Sequence, residues 1–366
     1  MGFPPRLRSG LLLLRNALVL RDWEYGMLLA RLGMPPWGFS ATQRGLQVRE
    51  LGILIPRESS SLIPCLGDAL CLKRMLGVNF SSSQEGIIAT AGRLRFHITS
   101  GEELYILREI LWDGVYNFGV PLENVVVWDI GMNVGMASLY FASRPNVRAV
   151  LGFEPFRPTF DAARRNAALN PELEAKIKLR NFGIAARACS AETEFDPEWK
   201  GGVGVNGICE RLRKKIHLSG DSLRVERVQL LAADEVLQSI KSDYPECAIV
   251  AKIDCEGSEY EIIRCLHEKR LLGELSMMMI EWHDRGPQEL ETILHPSGFV
   301  TFSPAPASNG NGMLYAVAQN RLPSRQGAEV HSSCHGIART VSTEAAGCQV
   351  KASRERHDAD VTSWGE

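Results

Sequence analysis

Nowhere in the 366 residues does an apolar run reach the roughly 18 residues needed to span a bilayer. The nearest candidate, Leu11 to Leu20, is interrupted by Arg15 and is followed by no small-residue cleavage site, so neither a membrane span nor a secretory leader is expected. Charge of one sign is also lacking. The 41 basic and 43 acidic residues leave a net charge of −2, which gives no electrostatic pull towards nucleic acid, and no nucleic-acid partner is expected. Nine cysteines are scattered without a C-x-x-C pair. That odd, unclustered set fits neither a disulfide framework nor a structural zinc site, and points to a cytoplasmic protein with reduced thiols. Residues 1–21 carry Arg6, Arg8, Arg15 and Arg21 and no acid, so an organelle-targeting segment stands as the alternative. No internal repeat of solenoid period is visible.

What is present is an ordinary globular composition, 45% apolar and 23% charged, enough for a substantial core. The chain divides into three parts. Residues 1–84 mix Leu, Arg, Trp and Pro without a readable period and stand as an extension of unclear structure. Residues 85–320 alternate apolar runs with helical stretches. Residues 321–366 turn to Ser, Arg, Gly, His and Glu, cannot bury enough surface to offset ordering entropy, and are expected to be disordered.

In the middle part the punctuation is regular. Strands are expected at 125–128, 149–153, 177–182, 249–253 and 277–282, with helices at 136–143, 158–170, 258–272 and 287–294 between them. Continuous apolar strands separated by helices imply a mostly parallel, doubly wound α/β sheet covered on both faces. Two final strands, 299–302 and 313–317, lead through the Asn309-Gly310-Asn311-Gly312 stretch and read as an antiparallel hairpin.

The first strand ends in Asp129-Ile130-Gly131-Met132-Asn133-Val134-Gly135. A strand, a glycine turn and a helix are what a ligand lying across a strand's carboxyl end requires: Gly131 and Gly135 remove Cβ atoms, and the helix start offers N–H groups. A dinucleotide site would use G-x-G-x-x-G with pyrophosphate at the helix start. This turn lacks that spacing, and Asp129 would repel pyrophosphate while suiting the ammonium or sulfonium of S-adenosylmethionine. Glu154 ends the second strand, about twenty residues further on, where an acid accepts hydrogen bonds from ribose hydroxyls. Both cofactors use that acid, so a nicotinamide-dependent dehydrogenase remains the alternative, and a catalytically inactive nucleoside-binding module a third.

These motifs resemble those of the FkbM methyltransferases. The Asp129–Gly135 run is similar to the family's D-I-G-x-N-x-G motif and Gly152-Phe153-Glu154-Pro155 to its second motif. Lys252-Ile253-Asp254-Cys255-Glu256-Gly257, followed by Glu259 and Glu261, resembles K-I-D-x-E-G-x-E. Ile280-Glu281-Trp282-His283 resembles the end of the next strand, and Asp234-Glu235-Val236-Leu237 a short acidic turn before the fourth. The resemblance covers about residues 100 to 320. It implies the Rossmann-like class I methyltransferase sheet of seven strands with an antiparallel last strand, S-adenosylmethionine as cofactor, and O-methylation of a hydroxyl on a small molecule, sugar or natural product.

For that chemistry the enzyme aligns donor and acceptor and helps the hydroxyl proton leave. Asp254 or Glu256, at the end of the fourth strand, is the first choice beside the acceptor, and His283 the second choice for general base. Lys252 reads as structural. Asn181, ending the third strand, is placed to approach adenine. Three acids and a histidine at strand ends also suit Mg²⁺, but the resemblance requires no metal and none is expected. Acceptor choice is expected from the segment before residue 120, from residues 197–222, in which Gly201 to Gly204 reads as a solvent loop, and from the hairpin near Asn309.

Overall fold

The computed structural model describes residues 15–117, 122–195, 203–204, 207–208, 224–304 and 310–321. The N-terminal residues 1–14, most of residues 197–222, Asn309 and the tail beyond 321 lie outside the described residues, and with them the readings made of those stretches. No helix of the described residues is long and apolar enough to cross a membrane. The described cysteines, Cys65, Cys71, Cys189, Cys247, Cys255 and Cys265, are free thiols.

Residues that read as an unpatterned extension fold into short, locally paired elements. Helix α1 (Trp23–Arg31) precedes a three-stranded antiparallel sheet, β1 (Phe39–Thr42), β2 (Gly45–Val48) and β3 (Ile53–Pro56). Helix α2 (Leu66–Leu76) then leads to a second antiparallel sheet, β4 (Asn79–Ser83), β5 (Gly86–Ala91) and β6 (Leu94–Ile98), and to helix α3 (Gly101–Arg108). Ser100 caps α3 by accepting from Glu103 N, while the Glu103 carboxylate accepts from Thr99 N at 2.6 Å, a reciprocal arrangement that fixes the start of the helix.

The centre is a seven-stranded sheet. Its members are β7 (Val125–Ile130), β8 (Val147–Phe153), β9 (Ile177–Arg180), β15 (Ala248–Ile253), β16 (Leu275–His283), β17 (Phe299–Phe302) and β18 (Asn311–Ala318), in the order β17-β18-β16-β15-β7-β8-β9. The intervening strands are β10 (Gly183–Ala185), β11 (Cys189–Phe195) and β14 (Arg224–Ala232), which form a three-stranded side sheet, and the short pair β12 (Val203–Gly204) and β13 (Gly207–Ile208). In the main sheet β18 alone runs against its neighbours, lying between β16 and β17. This is the class I methyltransferase arrangement. Every residue of β7 and of β15 is buried, because both faces of the sheet are covered.

Helices α6 (Ala233–Asp243), α7 (Glu259–Glu268) and α8 (Gln288–Leu294) cover one face, packing Leu237, Ile263 and Leu290 with Val126, Ile249 and Met278. The other face meets α4 (Met136–Ala142), α5 (Arg157–Ala168) and the N-terminal elements, whose Leu46, Ile53, Leu72 and Phe96 join one core with Val127, Val250 and Met279. Side chains at the end of α5 fasten β6 to this layer. Asn166 accepts from His97 N at 2.7 Å and donates to Val134 O at 2.9 Å, so it bridges β6 and the glycine turn. Asn170 pairs with both backbone groups of Arg95 at 2.8 and 2.7 Å.

From β7 the chain proceeds outward to β8 and β9, then returns to add β15 on the opposite side of β7. The crevice of a doubly wound sheet opens at the carboxyl ends flanking such a reversal. Asp129 and Gly131 stand on one side of it, Lys252 and Asp254 on the other.

Candidate functional site

The glycine turn is held more tightly than its sequence suggests. Gly131 N and Met132 N donate to Phe153 O, Asn133 N to the Glu154 carboxylate, Val134 N to Asn133 Oδ1, and Gly135 N to Met132 O. The five turn amides are therefore satisfied within the protein. Gly131 has φ +72°, and a Cβ there would lie 1.7 Å from Asp254 O. The backbone just after β15 by itself demands a glycine here. Gly135 has φ +79° and meets Ala163 Cβ at 3.2 Å, so it sets the approach of α5. Asn133, with φ +52°, takes the left-handed conformation that Asn tolerates better than most side chains.

Glu154 is 5% exposed. Its carboxylate accepts one bond from Asn133 N and one from Phe156 N, each at 3.1 Å. Burial pushes its carboxyl up to about 7, against the lowering effect of those two bonds. Each oxygen keeps a further lone pair, and two hydroxyl donors would meet a carboxylate short of hydrogen bonds. The donor chemistry of an adenosyl ribose fits that position. Asn181, the residue expected near adenine, donates from its amide to Glu154 O at 2.9 Å and Pro155 O at 3.0 Å, and so fixes the strand-end loop.

Asp129 is fully buried. Ser138 Oγ donates to its Oδ2 at 2.6 Å, and Lys252 Nζ lies 3.3 Å from its Oδ1. Lys252 and Asp129 are direct partners in the β15–β7 register, which brings their side chains to the same face. Two residues on, Asp254 shares that face, and its Oδ2 is also 3.3 Å from Lys252 Nζ. The ammonium donates in addition to Gly131 O. Burial works against the charged form of Lys252, but the two carboxylates outweigh it and raise its pKa. Lys252, read from the sequence as a strand-side stem, thus ties the donor turn to the acidic cluster. Its spacing from Asp254, with an acid at the end of the neighbouring strand, was the available signal.

Beyond Lys252 the acids gather. One donor atom from each of Asp254, Glu256 and His283 lies within 4.8 Å of the others. His283 Nε2 is 3.6 Å from Glu256 Oε2 and 3.8 Å from Glu281 Oε1. Its Nδ1 is 3.2 Å from Glu259 Oε1, and the same oxygen accepts from His283 N at 2.7 Å. Burial lowers the histidine's pKa, but the Glu259 bond and the surrounding carboxylates carry it up to about 10. Burial raises Glu256 to about 8, against the pull of His283 and with the repulsion of Asp254, Glu281 and Glu259. Burial and Asp254 push Glu281 upward as well.

Two residues of the segment after α3 reach this cluster without having been singled out in the sequence. A π-helical turn, Glu109–Asp113, follows α3 directly, and Tyr315 Oη holds the next residues by donating to Val115 O at 2.8 Å. Burial and the Asp254 charge raise Glu109 to about 7, against the Tyr105 hydroxyl that bonds it. The Tyr116 ring centroid lies 5.9 Å from Lys252 Nζ. A wall from the segment after α3 therefore stands over this cluster.

A seven-stranded sheet in the order β17-β18-β16-β15-β7-β8-β9, with β18 alone antiparallel, is the sheet of a class I methyltransferase. Residues 129–301 match the model of the Methyltransferase FkbM domain, and this part of the chain is an FkbM methyltransferase domain with S-adenosylmethionine as its methyl donor. The chain is 26% identical over 227 residues to Methyltransferase sdnD of Sordaria araneosa, covering 57% of this chain and 87% of that protein. It is 26% identical over 192 residues to the hexuronic acid methyltransferase AglP of Haloferax volcanii, covering 52% and 70%. A solved FkbM methyltransferase from Methylobacillus flagellatus aligns over 59% of this chain and 54% of its own, with 13% identity and a TM-score of 0.33.

Proposed function

We propose that the chain transfers the methyl group of S-adenosylmethionine to a hydroxyl oxygen of a small molecule, a sugar or sugar-like natural product being the preferred class. The observation that carries this reading is the set of carboxylates at the ends of β15 and β16, Asp254, Glu256 and Glu281, around one histidine. Such a set accepts a proton from a neutral hydroxyl. The similarity to a hexuronic acid methyltransferase supports a sugar-type acceptor.

On the donor side Glu154 receives the ribose hydroxyls, and the lip formed by Gly131 and Asn133 borders the donor. Gly135 sets the approach of α5 that keeps this lip in place. Asp129 acts from beneath by holding Ser138 and Lys252, and Asn181 by fixing the loop after β8. Bound S-adenosylmethionine supplies an electrophilic methyl carbon. The protein aligns the acceptor oxygen with that carbon, and Asp254 or Glu256 takes up the proton as the new bond forms. His283, raised to about 10 by its carboxylate neighbours, takes that proton only where it is not already protonated, which places it behind Asp254 and Glu256 as the base.

The test is methyl transfer from labelled S-adenosylmethionine to a panel of hydroxylated acceptors, with the position of the methyl group read by mass spectrometry. The expected result is an ether methyl on the product and a kcat lowered about 10²- to 10⁴-fold in Glu256→Gln or Asp254→Asn. A methyl group found on nitrogen, on carbon or as a carboxyl ester would overturn the hydroxyl assignment.

A further inference from the structure

We propose that Asp254, Glu256 and His283 bind a first-row divalent cation of the Mn²⁺ kind, with Glu281 at the edge of the site, and that this cation orients the acceptor oxygen. The inference rests on reading the cluster as the acceptor side of a methyltransferase. The geometry that points to it is the histidine. Its side chain is 9% exposed, and its Nδ1 is held by the fully buried Glu259, which also accepts from Gly257 N at 2.9 Å. That leaves Nε2 facing the carboxylates of Glu256 and Glu281 at 3.6 and 3.8 Å, beyond hydrogen-bond reach of either. An imidazole whose one nitrogen faces two carboxylates while a third carboxylate fixes the other from behind has the orientation of a histidine metal ligand.

The charge balance points the same way. Lys252 offers one ammonium, which is divided between Asp129 and Asp254. Glu256 and Glu281 lie beyond it, and among the described residues the only cationic partner given to the Glu256 carboxylate is His283. Two donors each about 2.1 Å from one ion stand about 3 to 4.2 Å apart. The 3.6 Å separation of His283 Nε2 and Glu256 Oε2 lies in that range, and Asp254 brings a carboxylate oxygen within 4.8 Å of both. One imidazole nitrogen and two carboxylates suit Mn²⁺ better than Ca²⁺, which takes oxygen throughout. Three protein ligands gathered on one side leave coordination positions open for an acceptor oxygen.

The experiment is titration of the full, chelator-stripped protein with Mn²⁺, without donor, following the loss of the free aqueous Mn²⁺ signal by electron paramagnetic resonance. One saturating equivalent per chain is expected, with nitrogen modulation from a bound imidazole in the pulsed spectrum. His283→Gln should abolish the modulation, and Glu256→Gln should weaken binding more than about 10-fold, while Glu172→Gln on the exposed surface changes nothing. Glu259→Gln, which releases the imidazole from behind, should weaken binding about 10- to 100-fold. Each preparation is also titrated with S-adenosylhomocysteine, which reports whether the donor side is folded. Donor binding without saturable Mn²⁺ binding, or Mn²⁺ binding unchanged in both ligand variants, would overturn the cation site and leave the methyltransferase reading intact. Loss of S-adenosylhomocysteine binding by the unmodified protein would overturn that reading instead.

Discussion

At Lys252 one ammonium faces two carboxylates and a backbone carbonyl in a site that is 2% exposed. Replacing it by Met leaves the stem's volume but strands Asp129 and Asp254 against each other. The expected cost is about 3–5 kcal/mol, measured as a lowered midpoint in urea with an unchanged slope. An unchanged midpoint would mean that the pair relaxes into solvent and that Lys252 does not tie the two sides together. Glu154 gives a prediction of a different kind. Its carboxyl is raised to about 7 from about 4.3 in an unfolded chain. Burial of Glu154 therefore favours its protonated form, and the stability this contributes below about pH 4 is lost as pH rises through 7. Ribose hydroxyls bind the ionised form, so donor binding must release a proton. S-adenosylhomocysteine affinity should rise with pH by up to about tenfold per unit below 7 and flatten above it. In Glu154→Gln binding should be weaker and nearly independent of pH, which calorimetry in buffers of different ionisation enthalpy would check.

Elements differed in how much of them could be read from residue order. Strands β7 and β15 are buried on both faces, so Val125-Val126-Val127-Trp128 and Ile249-Val250-Ala251 declared themselves as unbroken apolar runs. The other parallel strands and the single antiparallel one followed from them, and with them the acids at strand ends. Strand β4, Asn79–Ser83, has one large apolar side chain among five residues and is held by pairing with β5, so its own composition carries no strand signal. Lys252 failed to stand out because only the sheet register brings it against Asp129. The link between α5 and β6 was equally hidden, since Asn166 and Asn170 spend their amides on a backbone some 70 residues away in sequence. Asn170→Ala removes two bonds to Arg95 and one to Asn166 O. It should destabilise the protein by about 1–3 kcal/mol, with the loss concentrated in faster hydrogen exchange at Arg95 and Phe96. Uniformly faster exchange throughout the sheet would argue that α5 supports the whole core rather than this seam.

At the scale of the molecule, the residues before 85 and the sheet behave as one body. Leu46, Ile53, Leu62 and Leu72 belong to the same buried cluster as Val125, Val127, Val150 and Val317, so the N-terminal elements supply the cover of one sheet face. They also carry the chain into α3 and the π-helical turn that brings Glu109 and Tyr116 over the acceptor side. A chain starting at residue 85 keeps every residue singled out for chemistry, yet it strips that face of its partners. An exposed apolar surface well above a few hundred Å² favours aggregation over a native fold. The full chain should therefore unfold in one transition that includes both parts. The fragment 85–322 should show neither a cooperative transition nor S-adenosylhomocysteine binding, when calorimetry and light scattering are read together. A fragment that melted cooperatively at the parent's temperature and bound the ligand would make the first 84 residues an appended body. The wall over the acceptor side would then owe nothing to them.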